Sequence, residues 1–359
     1  MKVLYITNGV NGSGGLERVL SIKASYLADH YGYEIGILVL NNNHLNPFYD
    51  FSSKIHFFSI EVVGNPISYL NKYKIGIQHV VDSFQAQIIS VCDDGLKGFF
   101  LPRIITTSAK WIYERHASIQ LNTNQSFKGK IMQRIMFSQI ANFSRFVVLT
   151  PSNIKEWNKK NVIAIPNPLS FQSNEINSLN NKVIITVGSH SWNKGYDLLI
   201  NAWEQLEKKF PDWHLNIFGK IDNSQIFVNL SKEKKLNRIN FHEPVKDIRS
   251  EYLKSSILVL PSRSEGFGMV LIEAMECGVP CVSFDCPSGP ADIIKEGEVG
   301  FLVEKENVEE LIEKMTILIE DEELRKAMGV NAKKYVKRYA PQEIVKQWDA
   351  LFKQLLIEK

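Results

Sequence analysis

The sequence predicts an α/β protein made of two doubly wound units, each a parallel sheet with helices on both faces. Three observations point there. The chain has 359 residues, too long for one ordinary core and suited to two. Short apolar, β-branched runs alternate with helical spacing in both halves, the pattern of parallel sheets buried on both sides. The stretch Pro166 to Asn181 (PNPLSFQSNEINSLNN) is polar and rich in turn-formers, which places a linker at 166–182. The expected division is therefore 1–165 for the first unit and 183–340 for the second. A terminal helix at about 341–359 packs near the junction or back on the first unit.

Taken in order, the first half offers strands at Val3–Ile6, Ile35–Leu40, Ile55–Ile60, Ile88–Val91 and Phe146–Leu149. Helices fit between them, the clearest over Leu16–Tyr31. In the second half Val183–Val187 ends at Gly188, and Leu198–Phe210 follows helical spacing with Leu198, Leu199, Ala202, Trp203 and Leu206 on one face. His214–Phe218 ends at Gly219, Ile257–Leu260 is stopped by Pro261, and Val279–Phe284 is a further buried strand. The terminal helix presents Ile344, Trp348, Leu351, Phe352 and Leu355 along one stripe.

Composition excludes several classes. Apolar residues make up 44% and charged residues 23%, the balance of a globular domain rather than a disordered chain. No run approaches the roughly 20 apolar residues of a spanning helix. Met1–Thr7 reads as a first strand, not a leader peptide, so a cytoplasmic protein is expected. Cys277, Cys281 and Cys286 lie close together, but their neighbours are apolar and no His joins them. Together with Cys92 they read as buried free thiols, not as metal ligands.

The net charge of +3 is unevenly spread. Eleven basic residues fall between Lys97 and Lys160, opposed there only by Glu114 and Glu156. Within that segment Lys128–Phe137 reads as an amphipathic cationic helix. Two readings stay open: docking on anionic lipid, or a domain helix with its lysines in water. No base-stacking aromatic pattern accompanies the charge, so nucleic acid is not expected.

The residues that carry chemistry cluster in Pro261–Gly278 (PSRSEGFGMVLIEAMECG). A loop with two glycines follows a buried strand, and a helix starts near Gly268 and stops at Gly278. Such a strand-end loop is where α/β proteins bind nucleotides, and the free N–H groups of a helix start favour a diphosphate. Glu265 lies in the loop. Glu273, among apolar neighbours, is expected to be at least partly buried and then needs partners. Two ribose hydroxyls would serve; a salt bridge or a solvent-facing position are the plainer accounts. Gly12, Gly14 and Gly15 follow the first strand, but Glu17 and Arg18 stand where a third dinucleotide-binding glycine belongs, against a nicotinamide-dependent oxidoreductase.

Glu265 to Glu273 resembles the E-x7-E motif of glycosyltransferase family 4, in the GT-B superfamily. Other segments resemble that family in the same order: Gly14-Gly15-Leu16-Glu17-Arg18, Tyr113-Glu114-Arg115-His116, Ile165-Pro166-Asn167-Pro168 and Asn193-Lys194-Gly195-Tyr196-Asp197. Phe284–Pro290 and Asp292-Ile293-Ile294 resemble a branch that builds bacterial polysaccharides. The resemblance spans essentially the whole chain. It implies two Rossmann-like domains facing each other across a cleft, an N-terminal acceptor side and a C-terminal donor side. It implies a retaining hexosyltransferase moving a hexose or N-acetylhexosamine from a nucleotide diphosphate donor, UDP favoured. The acceptor would be a glycan or an undecaprenyl-linked lipid in surface polysaccharide biosynthesis, reached by a cytoplasmic enzyme with peripheral contact to the inner face of the membrane through 97–160.

The resemblance also implies roles. Glu273 holds the donor ribose and Glu265 contacts the transferred sugar. The backbone of Gly266, Phe267 and Gly268, continuing into Met269 and Val270, lies along sugar and diphosphate. Lys194 pairs with the diphosphate, Gly14 and Gly15 let the first loop approach donor and acceptor, and His116 meets a sugar hydroxyl or the transition state. Ser189 stands where the family has a second phosphate-binding Arg, with His190 and Arg263 as the neighbours that could compensate. No Asp-x-Asp pair occurs, so no metal or other cofactor is expected, and Lys194 with a helix start takes the metal's part. A non-catalytic nucleotide-sugar-binding protein and a nucleotide-sugar epimerase of the same fold are the alternatives.

Overall fold

The structure is a computed structural model that describes residues 1–93, 95–117, 127–175 and 177–358, with the side chains of residues 127 and 128 outside that description. The chain divides into two compact units: Met1–Ser170 with Pro341–Lys359, and Phe171–Ala340.

In the first unit β1 (Lys2–Thr7), β2 (Glu34–Leu40), β3 (His56–Ile60), β4 (Ile88–Cys92), β5 (Lys110–Glu114), β6 (Arg145–Val148) and β7 (Val162–Ala164) form one sheet in the order β3-β2-β1-β4-β5-β6-β7. Every pairing in it is parallel. Its central strands read as unbroken apolar runs because both faces are covered; all five residues of β4 are buried. Ile77, Val81 and Phe84 from the helix Pro66–Phe84 join Leu4, Ile89, Tyr113 and Phe146 in one core cluster.

In the second unit β8 (Val183–Val187), β9 (His214–Phe218), β10 (Ile239–His242), β11 (Ile257–Leu260), β12 (Cys281–Asp285) and β13 (Gly300–Glu304) give the parallel order β10-β9-β8-β11-β12-β13. The helix Tyr196–Lys209 buries Leu199, Ala202, Trp203 and Leu206 against this sheet, the face its spacing predicted. Both units are thus Rossmann-like. The strand order reverses between β1 and β4 in one and between β8 and β11 in the other, and loops at such a switch point form the usual ligand crevice.

The C-terminal helix Pro341–Ile357 belongs to the first unit and packs on the helix Gly15–His30. It buries Ile344, Val345, Trp348, Leu351, Phe352 and Leu355. Each such side chain contributes roughly 1.5–3 kcal/mol relative to exposure. Tyr33 Oη donates to Asp349 at 2.6 Å, and Lys110 Nζ donates to the Glu358 carbonyl at 2.8 Å. All four cysteines are buried and none forms a disulfide, and burial pushes the thiols of Cys277 and Cys286 up to about 12. No described helix is long and apolar enough to cross a membrane.

Candidate functional site

In the second unit the loops after β8 and β11 meet. Lys194 ends a short 3-10 turn, Trp192–Lys194, and Gly195 follows at φ +65°. A Cβ on Gly195 would collide with the carbonyl oxygen of Pro261, so only glycine lets the loops close to this distance. Lys194 Nζ then lies 2.7 Å from Glu265 Oε1, both side chains partly buried. The structure brings together two residues that the sequence nominated for separate tasks.

Of the two side chains near the Ser189 position, Arg263 is held in ion pairs and His190 is packed into an aromatic cluster. The Arg263 guanidinium bonds Asp197 at 2.8 and 2.7 Å, the Trp192 carbonyl at 2.7 Å and Glu306 at 2.6 Å. It also stacks 3.6 Å above the Trp192 ring. It is a clamp between the two loops rather than a free cation. His190 is buried among the rings of Tyr196, Phe227 and Phe241, at 5.5 to 5.9 Å. Burial lowers its pKa, which keeps the ring neutral. Ser189 itself is exposed. Compensation for the missing Arg by either residue is therefore not what the geometry provides.

Gly266, Phe267 and Gly268 lead into the helix Met269–Glu276, whose N-cap, Gly268, has φ +100°. No acidic residue occupies its first turn, so the N–H groups and partial positive charge of this end face no carboxylate from the helix itself. Phe267 is buried edge-on against Tyr339, 5.6 Å between centroids, while Met269 and Val270 are half-buried. The loop is braced from behind: Gly289, at φ +103°, packs where a Cβ would strike the Phe267 carbonyl.

Glu273 is fully buried, as its apolar neighbours require, and Oε2 accepts from Tyr252 Oη at 3.1 Å. One turn on, Glu276 is equally buried but accepts from Lys337 Nζ at 2.9 and 3.1 Å and from the Ser173 amide at 2.9 Å. Sequence reasoning passed over Glu276. Its place three residues after Glu273 in an apolar helix was the available signal, and its role is to tie the segment after Ser170 to the helix Met269–Glu276.

In the first unit Gly14 caps the helix Gly15–His30 without a side-chain bond. A Cβ on Gly12 or Gly14 would collide with the Glu17 carboxylate. Glu17 thus folds back over the loop toward the helix start, where an anion is favoured. His116 follows β5, and its Nε2 lies 3.3 Å from Glu114 Oε2. Glu114 is buried, paired with the buried Lys23 ammonium, and accepts from Ser90 Oγ at 2.6 Å. Burial works to raise the Glu114 pKa, but Lys23 and then His116 overcome it and bring the group down to about 2.

Cys92, Glu114 and His116 offer S, O and N atoms within 4.8 Å of one another, a donor set that zinc accepts. Lys23 already supplies the cation to that carboxylate, so an ammonium rather than a metal suits the cluster. A separate 790 Å³ depression lies at the N-terminal ends of β4 and β5, lined by Gln87, Thr107 and Lys110 among others. That is the opposite end of the strands from His116.

A sequence profile described as "Glycosyl transferases group 1" matches residues 170–335. A curated relative from Methanocaldococcus jannaschii, described as an uncharacterized glycosyltransferase, is 33% identical over 298 residues, covering 78% of this chain and 78% of the relative. The chain belongs to the group 1 glycosyl transferases.

An uncharacterized glycosyltransferase of Haemophilus influenzae is 29% identical across 98% of this chain and 99% of its own. The amylovoran biosynthesis glycosyltransferase AmsD of Erwinia amylovora is 27% identical across 97% and 98%. Among solved structures, sucrose-phosphate synthase from Thermosynechococcus elongatus superposes with a TM-score of 0.84 at 16% identity, covering 99% of each chain. HepE of Anabaena, in complex with UDP and glucose, gives 0.79 at 18% identity over 98% of this chain and 99% of its own. These likenesses show the fold, which for this glycosyltransferase is GT-B.

Proposed function

We propose that this glycosyltransferase is a retaining enzyme that moves a hexose or N-acetylhexosamine from a UDP-sugar to a glycan or undecaprenyl-linked acceptor in bacterial surface polysaccharide biosynthesis. The observation that carries the proposal is the Lys194–Glu265 pair at 2.7 Å, beside the start of a helix whose Glu273 is buried. AmsD is named for amylovoran biosynthesis, which supports a polysaccharide product, and the HepE structure holds UDP and glucose, which supports a UDP-linked donor.

Departure of a diphosphate builds negative charge that preorganised cations and dipoles must meet. Lys194 and the N–H groups at Gly268–Val270 do this without a metal. When Lys194 turns to the diphosphate, Glu265 is released to accept hydrogen bonds from the sugar hydroxyls. Glu273 accepts from the ribose, with Tyr252 holding the carboxylate. Gly14 and Gly15 keep the first loop low, and His116 meets a sugar hydroxyl. In front-face attack the acceptor oxygen bonds to the anomeric carbon as the bond to the diphosphate breaks. The acceptor proton passes to the leaving phosphate oxygen, so no protein nucleophile enters.

Thermal-shift measurements with UDP, GDP, ADP and their sugar conjugates test the donor. Ligand at a hundredfold over its dissociation constant adds about 2.7 kcal/mol. Stabilisation by the UDP series in the wild type and its loss in Glu273→Ala is expected. A response to GDP or ADP alone overturns the choice of UDP. No response to any nucleotide favours a non-catalytic protein, a reading that the engagement of Arg263 and His190 beside Ser189 keeps in view.

The cytoplasmic membrane contact follows the basic segment 97–160. Lys130, Arg134 and Lys159 surround a groove floored by Phe137, and Ile131 and Ile135 are exposed on the same helix. Flotation on anionic vesicles is expected to weaken when these three cations become Glu; unchanged association removes the proposal.

A further inference from the structure

We infer that Glu114 and Lys23 are positioning residues for His116, a buried carboxylate–ammonium pair that fixes the imidazole in one tautomer and one orientation. This deepens the proposed function and rests on its assignment of His116 to the site.

The starting point is an expense with no structural return. Both side chains are 1% exposed, and a buried ion pair adds little or nothing to stability over apolar residues of the same size. Lys23 sits on a helix face otherwise made of Val19, Leu20, Ala24 and Leu27, all buried. A Met at 23 and a Leu at 114 would suit that face. Instead the ammonium is enclosed by Glu114, by the Trp348 ring at 4.1 Å and by the Tyr5 ring at 4.8 Å. The C-terminal helix that carries Trp348 closes the enclosure.

The arrangement divides the Glu114 oxygens. Oε1 accepts from Ser90, and Oε2 faces both Lys23 and His116 Nε2. With Lys23 beside it the group is an ionised carboxylate at neutral pH, and a carboxylate only accepts. The hydrogen in the contact therefore sits on Nε2. A neutral imidazole has one N–H, which leaves Nδ1 as its basic nitrogen. A second partner selects the working nitrogen of a catalytic histidine in the same way. β5 supplies the rigid base: Glu114 ends the strand and His116 lies two residues beyond.

Nitrogen-15 NMR of histidine-labelled full-length protein tests this without any substrate, with the His116 resonances assigned by their loss in His116→Gln. The wild type is expected to show the Nε2–H tautomer alone. The double variant Lys23→Met, Glu114→Leu removes both charges together and is expected to show the two tautomers in exchange. With the donor found by thermal shift, its kcat should fall by about tenfold or more, a share of the 10²- to 10³-fold that one preorganised hydrogen-bonding group supplies, while donor KM stays within about threefold. An Nδ1–H tautomer in the wild type overturns the inference even if the variant does not fold. So does a folded double variant with wild-type tautomer or wild-type kcat. Absence of transfer in every assay counts against the proposed function alone, since the tautomer is read without turnover.

Discussion

Lys194 has Glu265 as its counter-ion at 2.7 Å, and under the proposed function a diphosphate competes for the same ammonium. Two outcomes follow. Lys194→Ala should lower kcat by about 10²–10³, the usual cost of removing one preorganised group that meets developing charge. Glu265→Gln should tighten UDP binding in a calorimetric titration, because the ammonium is released, while turnover falls because the sugar loses its acceptor. Weaker UDP binding in that variant means the pair does not compete with the diphosphate. Glu114 carries a pH signature. Its folded pKa, about 2 against an ordinary 4.5, means that its contribution is complete above 4.5 and is lost as pH falls toward 2. Glu114→Gln should cost about 3–5 kcal/mol near neutrality by leaving Lys23 buried without its counter-ion, and should flatten the acid limb. Denaturant unfolding of both proteins at pH 7 and near pH 3 measures each effect. None of this pairing was legible in the sequence. Lys23 occupies a position that helical periodicity assigns to an apolar residue, and Glu114 lies 91 positions away from it.

At the scale of elements, two glycines, Gly195 and Gly289, set the spacing of the loops around the Lys194–Glu265 pair. Gly289→Ala would drive a methyl group into the Phe267 carbonyl from a left-handed φ of +103°. The left-handed conformation alone costs about 1–2 kcal/mol, and relief of the collision shifts the 266–268 loop. The expected result is a folded protein whose nucleotide-induced thermal shift is lost; an undiminished shift shows that the loop does not need this brace. Sequence reading found β1, β2, β4, β8 and β11 by their apolar runs and β9, His-Leu-Asn-Ile-Phe, by its end at Gly219, with β3, β6 and β12 found to within a residue or two. Most of the strands it missed have physical reasons. β7 has three residues, and β10, Ile-Asn-Phe-His, has four with polar residues at alternate positions; nothing in the structure explains the omission of β13, Gly-Phe-Leu-Val-Glu, which is mostly buried. β5, Lys-Trp-Ile-Tyr-Glu, carries a charge at each end and aromatic residues between, so it lacks the β-branched signature although Trp111 to Glu114 are buried. The Glu265–Gly268 loop was legible because strand, glycines and helix start follow one another in the chain. The Arg263 clamp was not, because Asp197 and Glu306 reach it from 66 and 43 residues away.

For the whole molecule, the helix Pro341–Ile357 returns the chain to the unit in which it began. Its six buried apolar side chains, at roughly 1.5–3 kcal/mol each, together match or exceed the 5–15 kcal/mol that stabilises an ordinary domain. Removal of 341–359 should therefore unfold the first unit while the second, with its own core cluster, still melts cooperatively. Calorimetry of the truncated and intact proteins should show one transition lost and one retained. Loss of both refutes the independence of the second core. The same connectivity sets an order of events on the ribosome. Translation at roughly 5–20 residues per second separates the emergence of Ser170 from that of Pro341 by on the order of 10–30 s. During that interval the first-made segment lacks its lid, and Lys23 and Glu114 stand open to water. The later-made unit, an insertion by topology, is complete before the earlier one. The residues around His116 are consequently the last part of the enzyme to take shape, and under the proposed function nascent chains pass through a stage that can hold a nucleotide but cannot yet use it.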